Sequence, residues 1–244
     1  MANVRSFLAF GNHTVRSLLN SSYFTFKKII LLDKYNKDRE LISLIDSKKI
    51  PYQFLDKVSF SRYGFDKKNQ GIVAFLKEYS YVSLSSLLQK KSQRKFPFLL
   101  MLDSIEDPHN LGAIVRTCAA FQLDGIIIAN KNQVPVNGTV VKVSMGGIAY
   151  VPACRVNNLL EAINELKKSG YKIVSSVCQT SSQVYNRSTF NFPVCLVLGN
   201  EHDGIRSRII KKSDMKIYIP MSKHIPSLNV AVSGGIMISE IISQ

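Results

Sequence analysis

Three stretches of the chain place glycines and polar side chains directly beyond strand-like apolar runs. They read "LDSIEDPHNLGAIVRTC" (102–118), "LVLGNEHDGIRSRI" (196–209) and "HIPSLNVAVSGGIMISEII" (224–242). Parallel α/β sheets bind ligands beyond the carboxyl ends of their strands, so we expect the three stretches to meet at one site. The chemistry they offer there is hydrogen bonding by amides, hydroxyls, guanidinium groups and backbone N–H groups.

The first stretch offers an amide and a guanidinium. A strand is expected to end at Leu102, an acidic loop follows, and a helix begins at Asn110 with Arg116 two turns further on. Asn110 is either a functional amide or an ordinary helix cap, since asparagine is a preferred capping residue. Arg116 is either a solvated cation or a site residue, and its apolar neighbours Ile114 and Val115 argue against a fully exposed face.

The second stretch has glycines on both sides of a polar turn that follows a strand. Gly199 and Gly204 would let the backbone approach a ligand closely. Ile205 stands where a P-loop needs its lysine, and no G-x-G-x-x-G follows any strand. A nucleotide hydrolase of the P-loop type and a Rossmann dehydrogenase are therefore disfavoured.

The third stretch opens the last helix of the chain. Ser227 to Asn229 are expected to cap this helix, and their backbone N–H groups and side chains would point the same way. Gly234 and Gly235 follow inside the helix, although each glycine costs a helix about 1 kcal/mol relative to alanine. A close approach of another backbone is the expected reason for them.

The elements that must position these stretches alternate between strand and helix from residue 97 to residue 244. This alternation predicts an α/β domain whose mostly parallel sheet is covered on both faces. The expected strands are "FLLMLD", "GIIIAN", "AYVPAC", "YKIVSSV", "PVCLVLGN" and "KIYIPM". The expected helices are "NLGAIVRTCAAF", "NGTVVKVS", "NNLLEAINELKKSG", "GIRSRIIKKS" and the closing segment.

The front of the chain is predicted to form a small α/β domain over residues 1–80, followed by a linker over residues 81–96. The periodicity predicts helices at 11–22 and 38–49, strands at 27–34 and 70–79, and a loop with a short helix at 51–64. Within the linker, "QKKSQRK" is expected to be exposed, after a short helix.

Charge is the strongest compositional signal. The chain carries 32 Lys and Arg against 17 Asp and Glu, a net charge of +15, and residues 1–95 hold 18 of the basic and 7 of the acidic residues. Such a basic domain indicates a polyanionic partner, because neutralising phosphates releases counterions. The alternative is a solubilising surface in a lysine-rich proteome. The absence of tryptophan together with abundant Lys, Asn and Ile is typical of AT-rich coding and supports this alternative. Asn12, His13 and Arg16 either touch the polyanionic partner or serve as a helix cap and a solvated cation.

The four cysteines, Cys118, Cys154, Cys178 and Cys195, are widely spaced, and no C-x-x-C pair or zinc spacing occurs. We expect reduced core thiols and no metal site. We expect no signal peptide, because charged and polar residues interrupt the apolar ones at the start of the sequence, and the longest apolar runs are far too short to cross a membrane. The expected compartment is the cytoplasm.

Taken in order, "DPHNLGAIVRTC", "LVLGNEHDGIR" and "IPMSKHIPSLNVAVSGGI" resemble the three motifs of the SpoU/TrmH family of RNA ribose 2′-O-methyltransferases, in the SPOUT superfamily. "FGNHTVRSLL" and "GIVAFL" more loosely resemble the substrate-binding domain of its RlmB-like branch. The resemblance implies a deep trefoil knot in residues 97–244, S-adenosylmethionine bound in the knotted pocket, and a homodimer that pairs through the knotted domain. It also implies structured RNA as the substrate, with a guanosine of 23S ribosomal RNA as the first candidate.

The resemblance assigns roles to individual residues. Those that would contact the cofactor, largely through backbone, are Gly199, Ile219 and Leu228. Those that would form the catalytic cluster are Asn110, Arg116, Glu201, Ser227 and Asn229. In the family, the arginine at the position of Arg116 is proposed to activate the ribose 2′-hydroxyl. Because a guanidinium resists deprotonation, we expect Arg116 to orient the hydroxyl and a neighbouring phosphate instead.

Two departures and several rival functions bear on the substrate. His202 and Asp203 stand where relatives often have glycine or another small residue, and Ser233 precedes Gly234 and Gly235 where Ala/Ser-x-Gly is more usual. A relative that modifies tRNA or another ribosomal nucleotide is the rival within the class. A non-catalytic RNA-binding or ribosome-assembly protein is the rival outside it. A DNA-binding regulator is disfavoured because the chain has no helix-turn-helix or zinc pattern.

Overall fold

The computed structural model describes residues 7–63, 70–178, 182–200, 202–222 and 224–244. Its strands are β1 Phe7–Phe10, β2 Phe24–Leu32, β3 Tyr52–Leu55, β4 Ile72–Tyr79, β5 Phe98–Asp103, β6 Gly125–Ala129, β7 Ala153–Val156, β8 Lys172–Ser176, β9 Gln183–Val184, β10 Val194–Gly199 and β11 Met215–Tyr218. Its α-helices are α1 Asn12–Asn20, α2 Arg39–Ser47, α3 Lys57–Ser61, α4 Leu84–Gln89, α5 Pro108–Ala120, α6 Gly138–Val143, α7 Leu159–Lys168, α8 Ser207–Lys212 and α9 Val230–Ile242.

The front domain is built on a four-stranded sheet of order β1-β4-β2-β3. The predicted helices α1 and α2 and strands β2 and β4 are confirmed. The prediction of a loop with a short helix at 51–64 is half wrong, because β3 forms there, parallel to β2, ahead of the short α3. This strand has only four residues and no fully buried side chain, so its period-2 signal is weak. β1 has no counterpart in the sequence predictions.

Arg16 ties the two larger helices of this domain together. Its guanidinium bonds the Asp38 carboxylate, and its Nε donates to Asn12 Oδ1 at 2.9 Å. Asp38 also caps α2, since its Oδ1 accepts from the Leu41 N–H at 3.1 Å. Burial acts to raise the pKa of Asp38, but these hydrogen bonds and the charge of Arg16 outweigh it and lower the pKa. Arg16 therefore has a structural partner and is not simply a solvated cation.

The second domain is a parallel sheet of order β7-β6-β5-β10-β8-β11-β9. All six residues of β5 are buried, as expected of a central strand covered on both faces. Leu100 and Leu102 join one core with α5, α6 and α9, whereas Leu99 and Met101 join another core with α7 and α8. The predicted α/β architecture is therefore confirmed. The trefoil knot stays a prediction.

Two sequence predictions for this domain are corrected. "AYVPAC" is not a strand throughout, because a 3₁₀ turn occupies Gly147–Ala149 and β7 starts only at Ala153. Gly146 opens this turn with a φ of 81°, a conformation that favours glycine. Cys178 is exposed rather than buried, since β8 ends two residues before it.

The other three cysteines are buried as predicted, and none of the described cysteines is disulfide-bonded. Burial raises the pKa of all three thiols, that of Cys154 to about 11, so they are protonated core groups at neutral pH.

The two domains pack directly against each other. The Ala153 N–H donates to Tyr79 Oη at 2.9 Å, and the Val136 N–H donates to Tyr81 Oη at 2.8 Å. Backbone of β1 lies close to Gly138 at the start of α6. In the predicted linker, α4 buries two leucines against β7 and the core beside it, while the following basic cluster lies mostly at the surface. The longest described helices, α5 and α9, have 13 residues each, so none of the described helices can span a bilayer.

Candidate functional site

A cavity of about 630 Å³ opens at the carboxyl ends of β8 and β10, where the sequence predicts a site. Its volume is within the range of small-molecule sites. Three segments form its walls: the residues after β8, the turn after β10, and the segment that leads into α9. The lining residues are Ser176, Val177, Cys178, Leu198, Gly199, Asn200, His202, Asp203, Gly204, Ile205, Ile210, Pro226, Ser227, Leu228, Val230 and Ser233.

The turn after β10 is closed by its own backbone. The Asn200 N–H donates to the Gly204 carbonyl at 3.1 Å, and the Gly204 N–H returns a bond to the Asn200 carbonyl at 2.9 Å. A Cβ on Gly199 would lie 2.2 Å from the Gly204 carbonyl carbon and 2.4 Å from the Ile205 nitrogen. Gly199 is therefore required because the chain folds back on it. Gly204 supplies the positive φ of 68° that this fold-back needs.

Two side chains fasten this turn to the end of β5. Asn200 Nδ2 donates to the Ser104 carbonyl at 2.8 Å, while its Oδ1 accepts from the His202 N–H at 2.8 Å. Asp103 accepts from the Arg206 backbone N–H at 2.9 Å and from Arg206 Nε at 2.8 Å. The wall of the cavity is thus held by polar contacts between residues about a hundred positions apart in sequence.

Asp103 and Asn200 were not among the predicted site residues. The motif analysis ended the strand at Leu102 and began the acidic loop after it, whereas the expected strand "FLLMLD" already included Asp103; β5 does continue through Asp103, which is fully buried. A buried carboxylate needs a cationic partner, and Arg206 provides it. The only sequence signal was an acidic residue at the end of an otherwise apolar strand.

Asn110 and Asn229 are brought together, although 119 positions separate them. Asn229 caps α9, because its Oδ1 accepts from the Ala231 N–H at 2.9 Å, and its Nδ2 donates to Asn110 Oδ1 at 2.9 Å. The prediction that α5 begins at Asn110 is wrong: Asp107 caps the helix, and Asn110 lies in its first turn. Asn110 therefore does not cap α5, and its bond to Asn229 links the amino ends of α5 and α9.

Arg116 lies away from this link. Six residues of helix separate it from Asn110, which is about 9 Å along the axis and on another side of α5. Its side chain is exposed, and no hydrogen bond or ion pair joins it to the rest of the described chain. The expectation that apolar neighbours would cover it is not met within the described part of the chain. The adjacent Thr117 faces Gly235 of α9.

The remaining predicted residues divide into three groups. Ser227, exposed, and Leu228, half-buried, line the cavity together with Gly199. Ile219 follows β11, packs half-buried against the main core, and is not among the described residues that line the cavity. Glu201 lies outside the described residues.

The two glycines of α9 have different surroundings. A Cβ on Gly234 would lie 2.7 Å from Leu198 Cδ1, so this position packs tightly against β10. A Cβ on Gly235 would meet Thr117 only at 4.0 Å, an ordinary contact. Close packing therefore accounts for Gly234, through a side chain rather than a backbone, and does not account for Gly235 within the described part of the chain.

The family models match both domains. The SpoU rRNA Methylase family matches residues 97–239, and a model described as RNA 2′-O ribose methyltransferase substrate binding matches residues 8–82. The chain belongs to the SpoU methylase family.

Relatives of this SpoU chain match nearly its whole length. A protein of Staphylococcus saprophyticus named as a TrmH family tRNA/rRNA methyltransferase is 36% identical over 96% of this chain and 94% of its own. A crystal structure of an AdoMet-bound rRNA methyltransferase from Sinorhizobium meliloti matches with a TM-score of 0.81, at 23% identity, over 97% of this chain and 87% of that one. The SpoU methyltransferase AviRb from Streptomyces viridochromogenes, in complex with AdoMet, matches with a TM-score of 0.78 at 19% identity, over 98% and 90% of the two chains.

Proposed function

We propose that this chain transfers a methyl group from S-adenosylmethionine to a ribose 2′-hydroxyl of RNA. A guanosine of 23S ribosomal RNA is our first candidate for the target, as in the RlmB-like branch. The supporting observation is the cavity at the carboxyl ends of β8 and β10, because segments of two separate SpoU motifs line it. The SpoU relatives that were crystallised with AdoMet support the choice of cofactor.

The cavity fits a ligand held mainly through backbone. Gly199 and Gly204 present main chain without side chains, and Leu228 supplies an apolar wall beside the polar Ser227. Bound there, S-adenosylmethionine supplies an electrophilic methyl group on a sulfonium. Gly199 and Leu228 would hold it from the lining of the cavity, and Ile219 is retained as a third contact although it is not among the described lining residues. The clamp of Asp103 on the Arg206 backbone keeps this wall preorganised, which lowers the ordering cost of binding.

The polar cluster positions the nucleoside. Asn229 and Asn110 hold each other, and Ser227 adds a hydroxyl at the cavity wall. These groups would align the 2′-hydroxyl with the methyl group, and such alignment supplies much of the rate acceleration in a transfer reaction. Arg116 would orient the hydroxyl and a neighbouring phosphate, since its guanidinium stays charged. Glu201 is retained in this proposal as a residue that would hold the arginine.

Arg116 leads us to propose a homodimer through the second domain. α9 is apolar on nearly all sides, yet Val232 is 52% exposed and Gly235 and Ile236 beside it line an open groove. A helix that is apolar all round is normally covered, and a second copy would cover this face. Arg116, one residue from Thr117 at this edge, would then act in a site that both subunits complete.

The front domain would deliver the RNA. Its match to a substrate-binding model supports this role, and so do the 18 basic against 7 acidic residues of positions 1–95, which comprise the front domain and most of the linker. The deciding experiment maps ribose 2′-O-methylation in ribosomal RNA and tRNA from cells with and without the gene. Loss of a 23S guanosine mark is expected, whereas loss of a tRNA mark would redirect the target. No lost mark, together with no calorimetric heat from S-adenosylmethionine, would favour a non-catalytic RNA-binding protein.

A further inference from the structure

A second cavity, of about 550 Å³, opens at the same edge of the sheet, beyond the carboxyl ends of β6 and β7. It lies beside the amino ends of α7 and α8. The lining residues are Ala129, Lys131, Asn132, Asn157, Asn158, Leu159, Leu160, Arg206, Ser207, Arg208 and Ile209. Three of them are cationic and none is acidic, so the chemistry of the lining favours an anion.

The cations differ in how they are held. Arg206 is fixed by the fully buried Asp103, which accepts from its Nε and Nη2 at 2.8 Å each, while more than half of the Arg206 side chain stays exposed. Lys131 and Arg208 are exposed, and neither has a hydrogen bond or an ion pair with any other described residue. The site thus combines one preorganised guanidinium with two uncompensated charges.

The lining contains no aromatic ring on which a base could stack. The Asn158 amide is occupied, since it caps α7 and donates to Glu161. Lysine and arginine form strong charge-assisted bonds with phosphate oxygens, and without a ring to stack a base the cavity suits a phosphate better than a nucleobase.

The position of the cavity links it to the rest of the molecule. The segment after β6 supplies Lys131 to the cavity and, five residues later, donates from the Val136 N–H to Tyr81, which directly follows the front domain, two residues beyond β4. On its other side, the Arg206 clamp adjoins the turn that lines the proposed cofactor cavity. The ends of β6 and β10 are two strand spacings apart, about 10 Å, a distance that neighbouring nucleotides of one strand can bridge.

We propose that this basic cavity binds backbone phosphates of the RNA strand beside the target nucleotide, on its way from the front domain to the methyl-transfer site. The inference rests on the proposed function and deepens it by naming the contacts. Lys131 and Arg208 neutralise the phosphates, and Arg206, held by Asp103, sets their position. Such contacts fix register and add no base specificity.

The test compares the double variant Lys131→Ala/Arg208→Ala with the double variant Lys168→Ala/Lys212→Ala. The control removes the same charge from the far ends of α7 and α8, from exposed lysines that have no ion pair among the described residues. Binding of total ribosomal RNA is measured by filter retention between about 50 and 200 mM KCl. Calorimetry measures S-adenosylmethionine binding, tritium transfer measures activity, and inorganic phosphate at matched ionic strength is added as a competitor.

We expect the site variant to bind RNA about tenfold or more weakly and to lower the salt slope of log Kd by about 1.4, for two lost phosphate contacts. The RNA affinity of the control variant and the S-adenosylmethionine affinity of both double variants should stay at wild-type values. Equal losses in both double variants, or none in the site variant, would overturn the proposal. Inorganic phosphate that displaced RNA equally well from both double variants and from wild type would also overturn it. If wild-type protein transfers no tritium to any RNA, the proposed function itself fails. That result is distinct from the outcomes that would overturn the phosphate site.

Discussion

Replacing Gly199 by alanine tests whether the fold-back of the turn after β10 builds the cofactor cavity. The new Cβ would lie 2.2 to 2.4 Å from backbone atoms of Gly204 and Ile205, which cannot rotate away as a side chain could. Overpacking a core costs about 1–3 kcal/mol, and a backbone obstacle places this site near the upper value. If the turn opens to relieve the clash, about 3 kcal/mol appears as a roughly hundredfold weaker S-adenosylmethionine affinity.

The assay combines calorimetric titration of S-adenosylmethionine with urea unfolding, so that a loss in either quantity is seen. Gly170→Ala is the matched control, because Gly170 has a φ of 85° but no heavy atom within 4 Å of the added Cβ. It should lose about 1 kcal/mol of unfolding free energy from backbone strain and keep wild-type affinity. A Gly199→Ala protein with wild-type affinity and a wild-type urea midpoint would refute the steric reasoning.

Three further predictions concern the arginine, the apolar helix and an ion pair. Arg116→Ala and Arg116→Lys should lower kcat about 10²–10³-fold without changing S-adenosylmethionine affinity, and near-normal turnover of the alanine variant would contradict its role. Val232→Glu should convert the proposed dimer to a monomer in sedimentation velocity; an unchanged dimer would place the interface elsewhere. Asp38→Asn keeps a capping side chain but loses the bond to Arg16, so it should lower the free energy of unfolding by about 0.5–1 kcal/mol at pH 7. Folding lowers the pKa of Asp38. The difference in unfolding free energy between wild type and variant should therefore be fully present above the unfolded pKa of 3.8 and be lost as pH falls through the folded pKa. A gap in urea midpoint that stays constant down to pH 3 would contradict it.

Local pattern predicted the elements well where they are long and periodic. β2, β4, β5 and β10 and helices α1, α2, α7 and α9 lie where apolar spacing placed them, because burial of one face leaves that spacing in the sequence. The errors are short elements. None of the four residues of β3 is fully buried. The start of β7 was predicted too early, because a 3₁₀ turn that begins after Gly146 occupies residues that look like strand from their apolar side chains.

The candidate site likewise contains residues that the structure brings together as the sequence predicted, and also Arg116, which it does not. The motifs placed Gly199, Ser227, Leu228 and Asn229 near one another, and the structure puts the first three in the lining of one cavity, with Asn229 directly after Leu228 in the chain. It leaves Arg116 on the exposed side of α5, because a helix turns about 240° over six residues. No local sequence pattern could indicate how its side chain would reach Asn110 and Asn229.

The sequence alone determined the alternation of strand and helix, the basic front domain and the order of the three motifs, since each depends only on residue type and local spacing. Tertiary structure decided that Asp103 holds Arg206 and that Asn229 holds Asn110, across 103 and 119 positions. It did so through sheet order: β10 inserts between β5 and β8, and this brings the loops after β5 and β10 to adjacent positions. Strand order is a property of the whole packed core, which no local window of sequence contains.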